Sequence, residues 1–156
     1  MLNAIIINGY AAMRHTVGSR FNDYGIRYMQ GWSNKSIHVT VQIGSMELDI
    51  SPEIESQWIH SPTQEKTWPA AESYLIGWTE RDPLSYLYLE DQSMSRYACT
   101  KWAIQTSLGF KPQLPMCCTK LAQNLLWCEG FDISHIDLPA DLLSWAKERE
   151  AYIDGL

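Results

Sequence analysis

Strict alternation of apolar and polar side chains predicts a β-hairpin in the first third of the chain. Over residues 36–43 the odd positions are apolar and the even positions are polar, so the apolar side chains share one face of a strand. Gly44-Ser45 is a turn signal, and the alternation resumes over residues 46–50. The hairpin would therefore place His38 on the same face as a carboxylate of the second strand.

Shorter patterns predict the remaining strands and helices. A β-branched run over residues 4–7 predicts a strand that ends at an Asn8-Gly9 turn, and residues 54–60, between two prolines, fit a third strand. Pro69 suits the first turn of a helix that runs through Trp78. Further helices are predicted over residues 19–30, 94–108, 118–127 and 140–152, and residues 84–89 fit either a strand or a helix.

Size and composition indicate one compact domain of the α+β class. A chain of 156 residues is long enough to bury roughly two thirds of the surface that its unfolded form exposes. Apolar residues make up 46% of the chain, with seven Trp and eight Tyr among the aromatic ones, which favours a packed core over disorder. We therefore expect residues 1–156 to form a single domain.

The acidic charge argues against one class of partner. With 18 acidic and 12 basic residues the net charge is −6 at pH 7, so binding to a phosphate backbone has no electrostatic support and nucleic acid is not an expected partner. The N-terminal segment lacks a basic leader, and its apolar run is short. We therefore expect neither a signal peptide nor a membrane span, and a protein made in the cytoplasm. Two of the four cysteines, Cys117 and Cys118, are adjacent, and a disulfide framework is not expected.

Cys99 is the candidate nucleophile, because it lies near the start of the helix predicted over residues 94–108. The positive end of a helix dipole favours the thiolate, which is the reactive form of cysteine. Cysteine catalysis also needs an imidazole, which holds that charge and protonates the leaving group, and a third polar group that orients the imidazole. The predicted hairpin supplies His38, with Asp49 as the first choice for the third group and Glu47 as the second.

The side of the helix that carries Cys99 is expected to face the sheet. Ala103 and Thr106 lie one and two turns beyond Cys99, and both are small. They would let the helix pack closely against the strand of His38. The proposed pairing of Cys99 with His38 depends on this orientation.

Two short motifs and their order along the chain resemble a known family. Ser36-Ile37-His38-Val39 is similar to a Ser-His-Val strand start with one residue inserted. Arg96-Tyr97-Ala98-Cys99-Thr100-Lys101-Trp102 is similar to a motif of an aromatic residue, any residue, Cys, Ser, Glu and then Trp or an aliphatic residue, and Leu108-Gly109 is similar to a Leu-Gly helix ending. With the histidine strand first, the carboxylate strand second and the cysteine helix last, residues 17–126 resemble the circularly permuted branch of the papain-like NlpC/P60 superfamily, in particular its small phage-encoded members.

The resemblance implies a permuted papain-like domain, in which a small antiparallel sheet packs against the cysteine-bearing helix and additional helices follow at the C-terminus. The implied activity is that of a cysteine hydrolase, a thiol protease or amidase, or of an acyltransferase, with Cys99 as nucleophile and His38 as base. Cell-wall peptides or other amides are the implied substrates. Phage particle proteins are the implied partners of a chain that is made in the cytoplasm and incorporated in a particle. The chain departs from the family pattern at Thr100 and Lys101, where Ser and Glu are commoner, and no motif fixes the third catalytic residue.

A different class of function stays open beside this one. The same fold can serve as a structural or interaction protein, for example a phage particle component, with an inactive site. In that case Cys99 is an inert small hydrophobic residue, which is the commoner fate of a cysteine on an amphipathic helix.

Metal chemistry and glycosidase chemistry have weaker support. Cys117, Cys118, Cys128 and His135 are a conceivable zinc set, but no Cys-x-x-Cys pair is present, and adjacent cysteines rarely serve one tetrahedral ion. The two carboxylates of the predicted hairpin carry no further sign of a glycosidase pair. We expect neither a metal nor another cofactor.

Overall fold

An antiparallel sheet accompanied by four helices forms the structure, a computed structural model of the chain. It describes residues 2–11, 17–32, 35–49, 59–60, 70–86, 96–114 and 117–156, and for residues 17–22, 59–60 and 96–100 it describes the backbone alone. The described elements, in chain order, are β1 (Asn3–Tyr10), α1 (Val17–Met29), β2 (His38–Ile43), β3 (Met46–Leu48), β4 (Ile59–His60), β5 (Glu72–Thr79), α2 (Arg96–Ser107), α3 (Cys118–Cys128) and α4 (Pro139–Asp154).

The five strands form one sheet in the order β4-β3-β2-β1-β5, and each neighbouring pair is antiparallel. The predicted α+β class with an antiparallel sheet is thus confirmed. The predicted hairpin is also present, since β2 and β3 pair Val41 with Leu48 and Ile43 with Met46. Gly44 lies in the turn between them with a φ of 60°, which glycine adopts without steric cost.

The apolar positions of β2 lie in the core, as their alternation predicts. Val39, Val41 and Ile43 belong to one buried cluster with Leu125 of α3 and Leu142 of α4. Among the described elements, α3 contacts β2, α4 contacts β5 and β1, and α2 contacts α1. The strand that begins with His38 is therefore the strand on which α3 packs.

The prediction of a helix from Pro69 through Trp78 is wrong, because residues 72–79 form β5. This strand pairs with β1, where Tyr74 lies opposite Ile7, and its Ile76 is fully buried. Aromatic and β-branched residues suit a partly buried strand. The apolar spacing of such a short segment does not distinguish a strand from a helix.

The predicted turn at Asn8-Gly9 is also wrong, because β1 continues through both residues. Gly9 pairs on both sides, with Val39 of β2 and with Glu72 of β5. A Cβ atom at Gly9 would lie 2.6 Å from Cδ1 of Leu143. The glycine therefore gives room for α4 against the sheet and does not reverse the chain.

Four predicted helices lie within a few residues of their predicted ranges, as α1, α2, α3 and α4. The helix α1 ends in a Schellman motif, in which the N–H groups of Gly31 and Trp32 donate to the carbonyls of Tyr28 and Arg27. This is the ending that Gly31 predicts.

Two predicted segments are described only in part. Of the strand predicted over residues 54–60, residues 59–60 form β4 and the rest lies outside the described residues. Of the ambiguous run 84–89, residues up to 86 belong to a short 3₁₀ turn, and residues 87–89 lie outside the description. Within the described parts of the chain, no helix has both the length and the apolar character that crossing a membrane requires.

Candidate active site

His38 and Asp49, predicted to act together, are in direct contact. The distance between Nε2 of His38 and Oδ1 of Asp49 is 2.7 Å. Both side chains are buried, with 7% and 3% of their surface exposed. A histidine with one ring nitrogen held in this way has its ring orientation fixed.

Glu47, the second choice for the third residue, is engaged elsewhere. Its Oε1 atom accepts hydrogen bonds from the hydroxyl groups of Tyr10, at 2.5 Å, and of Thr40. Burial, followed by the Glu47 carboxylate, raises the pKa of the Tyr10 phenol, which therefore stays a hydrogen-bond donor. Of the two candidate carboxylates, Asp49 is thus the one seen bound to the imidazole.

The thiol found beside His38 belongs to Cys118, the first residue of α3. Cys118 lies close enough to His38 for its negative charge to raise the pKa of the imidazole. The N-cap residue, Cys117, has an extended backbone and makes no side-chain capping bond. The thiol therefore lies in the first turn of a helix, at the positive end of its dipole.

The surroundings of His38 favour its protonated form. Burial by itself lowers the pKa of an imidazole, but the Asp49 carboxylate and the negative charge of Cys118, each with a hydrogen bond, outweigh it and raise the pKa of His38 to about 10. At neutral pH the ring is therefore an imidazolium between a carboxylate and a thiol group.

Replacing Asp49 with asparagine is expected to lower the pKa of His38 by about one to three units, since an adjacent opposite charge is lost while the burial remains. Ring ¹⁵N NMR titration of His38 measures this directly. Glu47→Gln is the matched control, because Glu47 is bound to Tyr10 and Thr40, and it should shift the titration much less. Equal shifts in the two variants would contradict the assignment of Asp49 as the partner.

The predicted nucleophile, Cys99, lies in the first turn of α2, and its side chain is outside the described residues. Its contact with His38 stays a prediction. On the same helix, the Cβ of Ala103 lies 3.4 Å from the position of a Cβ at Gly25 of α1. The expected packing of Ala103 against the His38 strand stays a prediction.

Cys118 is the cysteine near His38 that the sequence interpretation did not select. The signal for it was present, because the predicted helix over residues 118–127 begins at this cysteine. The same reasoning that selected Cys99 from its place near a helix start applies to Cys118 with equal force.

The described residues contain no group of three or more His, Cys, Asp or Glu side chains arranged to hold a metal ion. No family model matches the chain, and no curated protein or solved structure matches it either. The site is therefore interpreted from its own geometry.

Proposed function

We propose that the protein is a cysteine hydrolase of the peptidase or amidase type. Cys118 is the nucleophile, His38 is the acid and base, and Asp49 orients the imidazole. The observation that carries the proposal is the 2.7 Å contact of the buried His38 with Asp49, together with the effect of Cys118, at the start of a helix, on the pKa of the same imidazole. The nucleophile differs from Cys99, which the sequence predicts.

The chemistry follows from the two contacts of His38. Because Asp49 holds Nε2, the other ring nitrogen, Nδ1, is the one available to Cys118. The imidazolium and the helix terminus both favour the thiolate, which attacks the carbonyl carbon of an amide or ester. The imidazolium then gives its proton to the leaving amine or alcohol and leaves a thioester on Cys118. A water molecule deprotonated by His38 hydrolyses that thioester.

The start of α3 also supplies a place for the developing negative charge. The N–H groups of the first turn point out of the helix end, and Cys117 makes no side-chain bond to them. A carbonyl oxygen polarised there gains stabilisation as it becomes an oxyanion. The nucleophile and the stabilising dipoles thus come from the same helical turn.

With Cys118 as nucleophile, the order of the site residues along the chain is that of the permuted papain-like branch, with the histidine first, the carboxylate second and the cysteine helix last. The motif that resembles the cysteine motif of the family lies around Cys99 on α2, so the resemblance supports the order of the site and not the choice of Cys118. Action on cell-wall peptides, and a place in a phage particle, extend the proposal on the strength of that resemblance alone.

The second candidate is an inactive protein of the same fold, and the burial of the site favours it. Cys118 has 6% of its surface exposed and His38 has 7%. With so little of either residue exposed, a substrate has little direct access to the sulfur atom. The two candidates differ in one measurable property, the reactivity of the Cys118 thiol at low pH.

Alkylation with iodoacetamide between pH 5 and 9, mapped by mass spectrometry on all four cysteines, tests the proposal. We expect Cys118 to be labelled first at pH 6, because it is already a thiolate there, while ordinary thiols with a pKa of about 8.5 are protonated. The variant Cys118→Ser should lose the low-pH labelling, and the matched variant Cys99→Ser should keep it.

Two outcomes would count against this proposal in different ways. Loss of the low-pH labelling in Cys99→Ser, with retention in Cys118→Ser, would restore Cys99 as the nucleophile. Labelling of every cysteine only above about pH 8 would indicate ordinary or inaccessible thiols and favour the inactive protein.

A further inference from the structure

A cavity of about 290 Å³ lies where the chain enters β2. Its lining includes Lys35 and Ser36 from the segment before β2, Glu72 and Tyr74 from β5, and Lys147 from α4. All of these side chains belong to the described residues. This volume is close to the lower end of the range for small-molecule pockets, about 300 to 1,000 Å³, so the space suits a small organic group.

The carboxylate of this cavity is held by hydrogen bonds, whereas its two ammonium groups are not. Glu72 is fixed, since Oε2 accepts a hydrogen bond from the Ser36 hydroxyl at 3.0 Å and Oε1 accepts one from the Tyr74 hydroxyl at 3.2 Å. Lys35 and Lys147 are exposed. Within the described residues, neither ammonium group has a hydrogen-bonding or ion-pair partner.

The residues that line the cavity carry an excess of one positive charge, while a further carboxylate, Glu150, acts on Tyr74 from outside the lining. Two lysines face one carboxylate, and that carboxylate already accepts two hydrogen bonds. Ala140, in the first turn of α4, also lines the cavity, but its N–H group already donates to Oε1 of Gln30 at 2.9 Å, so the positive charge comes from the two lysines. In a chain with a net charge of −6, a cavity of this sign selects an anionic group.

We propose that this cavity binds a carboxylate-bearing ligand through the ammonium groups of Lys35 and Lys147. The hydroxyl groups of Ser36 and Tyr74, oriented by Glu72, line the remaining polar wall. Ser36 precedes His38 by two residues, and the proposal extends to the acidic group of a substrate of Cys118 as the ligand. That last assignment, of the ligand as a substrate group, rests on the proposed function; the binding itself does not.

Titration of the intact protein with glutarate, followed by NMR of the backbone amides, tests the binding. We expect saturable shifts at Ser36 and Tyr74 with glutarate and none with glutaramide, which has the same shape without the charge. Lys147→Met should weaken glutarate binding about tenfold, as expected for one charge-assisted hydrogen bond. The matched control Lys111→Met removes an exposed lysine outside the cavity lining and should leave the affinity unchanged.

A second variant, Glu72→Gln, is expected to raise the affinity for glutarate. Glu72→Gln removes the negative charge of the cavity and keeps a carbonyl oxygen for one hydroxyl donor, so glutarate should bind several-fold more tightly. Equal affinities of the Lys147→Met and Lys111→Met proteins would overturn the proposal. Tighter binding of inorganic phosphate than of glutarate, with the same dependence on Lys147, would overturn the choice of a carboxylate. None of these results depends on the reactivity of Cys118, so the two proposals fail independently.

Discussion

Replacing His38 with glutamine is expected to change the shape of the pH profile with which iodoacetamide alkylates Cys118. In the unchanged protein the rate should be nearly constant between pH 6 and pH 8, because the thiolate is already formed next to an imidazolium whose pKa is about 10. In His38→Gln the rate should rise about tenfold for each pH unit, as for a thiol that must first lose its proton.

The expected change in the alkylation rate at pH 6 follows from two opposing factors, the fraction of thiolate and its nucleophilicity. An ordinary thiol with a pKa of about 8.5 is only about one part in 300 thiolate at pH 6, whereas the paired thiol is mostly thiolate. A thiolate of lower pKa is also a weaker nucleophile, by a factor of about three per unit. The net expectation is a rate about tenfold lower in His38→Gln at pH 6, so the shape of the profile is the stronger readout.

The glutamine variant is chosen because it removes the charge and keeps a side chain that can donate to Asp49. His135→Gln is the matched control, since His135 is exposed and has no place in the site. A His38→Gln profile that stays flat and parallel to that of the unchanged protein would show that His38 does not control the thiol. A fall in rate of equal size in both variants would point to a general effect of losing a histidine.

The hairpin of the site was predictable because its signals are local. Alternation over residues 36–43 and the Gly44-Ser45 turn determine which side chains share a face, and the observed pairing of β2 with β3 agrees with both. The choice between two carboxylates depends on register. Val41 pairs with Leu48, so the next position places Thr40 opposite Asp49. Asp49 is therefore the diagonal neighbour of His38 on the same face of the sheet.

Two features could not be predicted from local patterns, the edge strand β5 and the identity of the cysteine near His38. Both depend on contacts between distant parts of the chain. β5 is a strand because it pairs with β1, about seventy residues earlier, and no pattern within residues 69–78 records that pairing. The sequence likewise shows two cysteines near helix starts, Cys99 and Cys118, without showing which helix meets β2. The structure has α3 on β2 and α2 on α1, and the packing of α3 on β2 is what brings Cys118 near His38.

Replacing Leu125 with alanine is expected to lower the free energy of unfolding by about 2 to 5 kcal/mol. Leu125 lies in the middle of α3, its side chain is fully buried, and it belongs to the core cluster that contains Val39 and Val41 of β2. Truncation removes the buried methyl groups and leaves a cavity that the surrounding side chains fill only in part. Urea denaturation measures the loss as a lower midpoint at an unchanged slope.

Trp127 on the same helix provides the matched control for this change. Its side chain is 66% exposed, so Trp127→Ala removes a larger side chain and should still change the free energy of unfolding by no more than about 0.5 kcal/mol. The contrast depends on which side of α3 packs on β2, the same packing that holds Cys118 beside His38. Equal losses in the two variants, or a larger loss for Trp127→Ala, would mean that α3 packs with another face, and the contact between Cys118 and His38 would then lose its support.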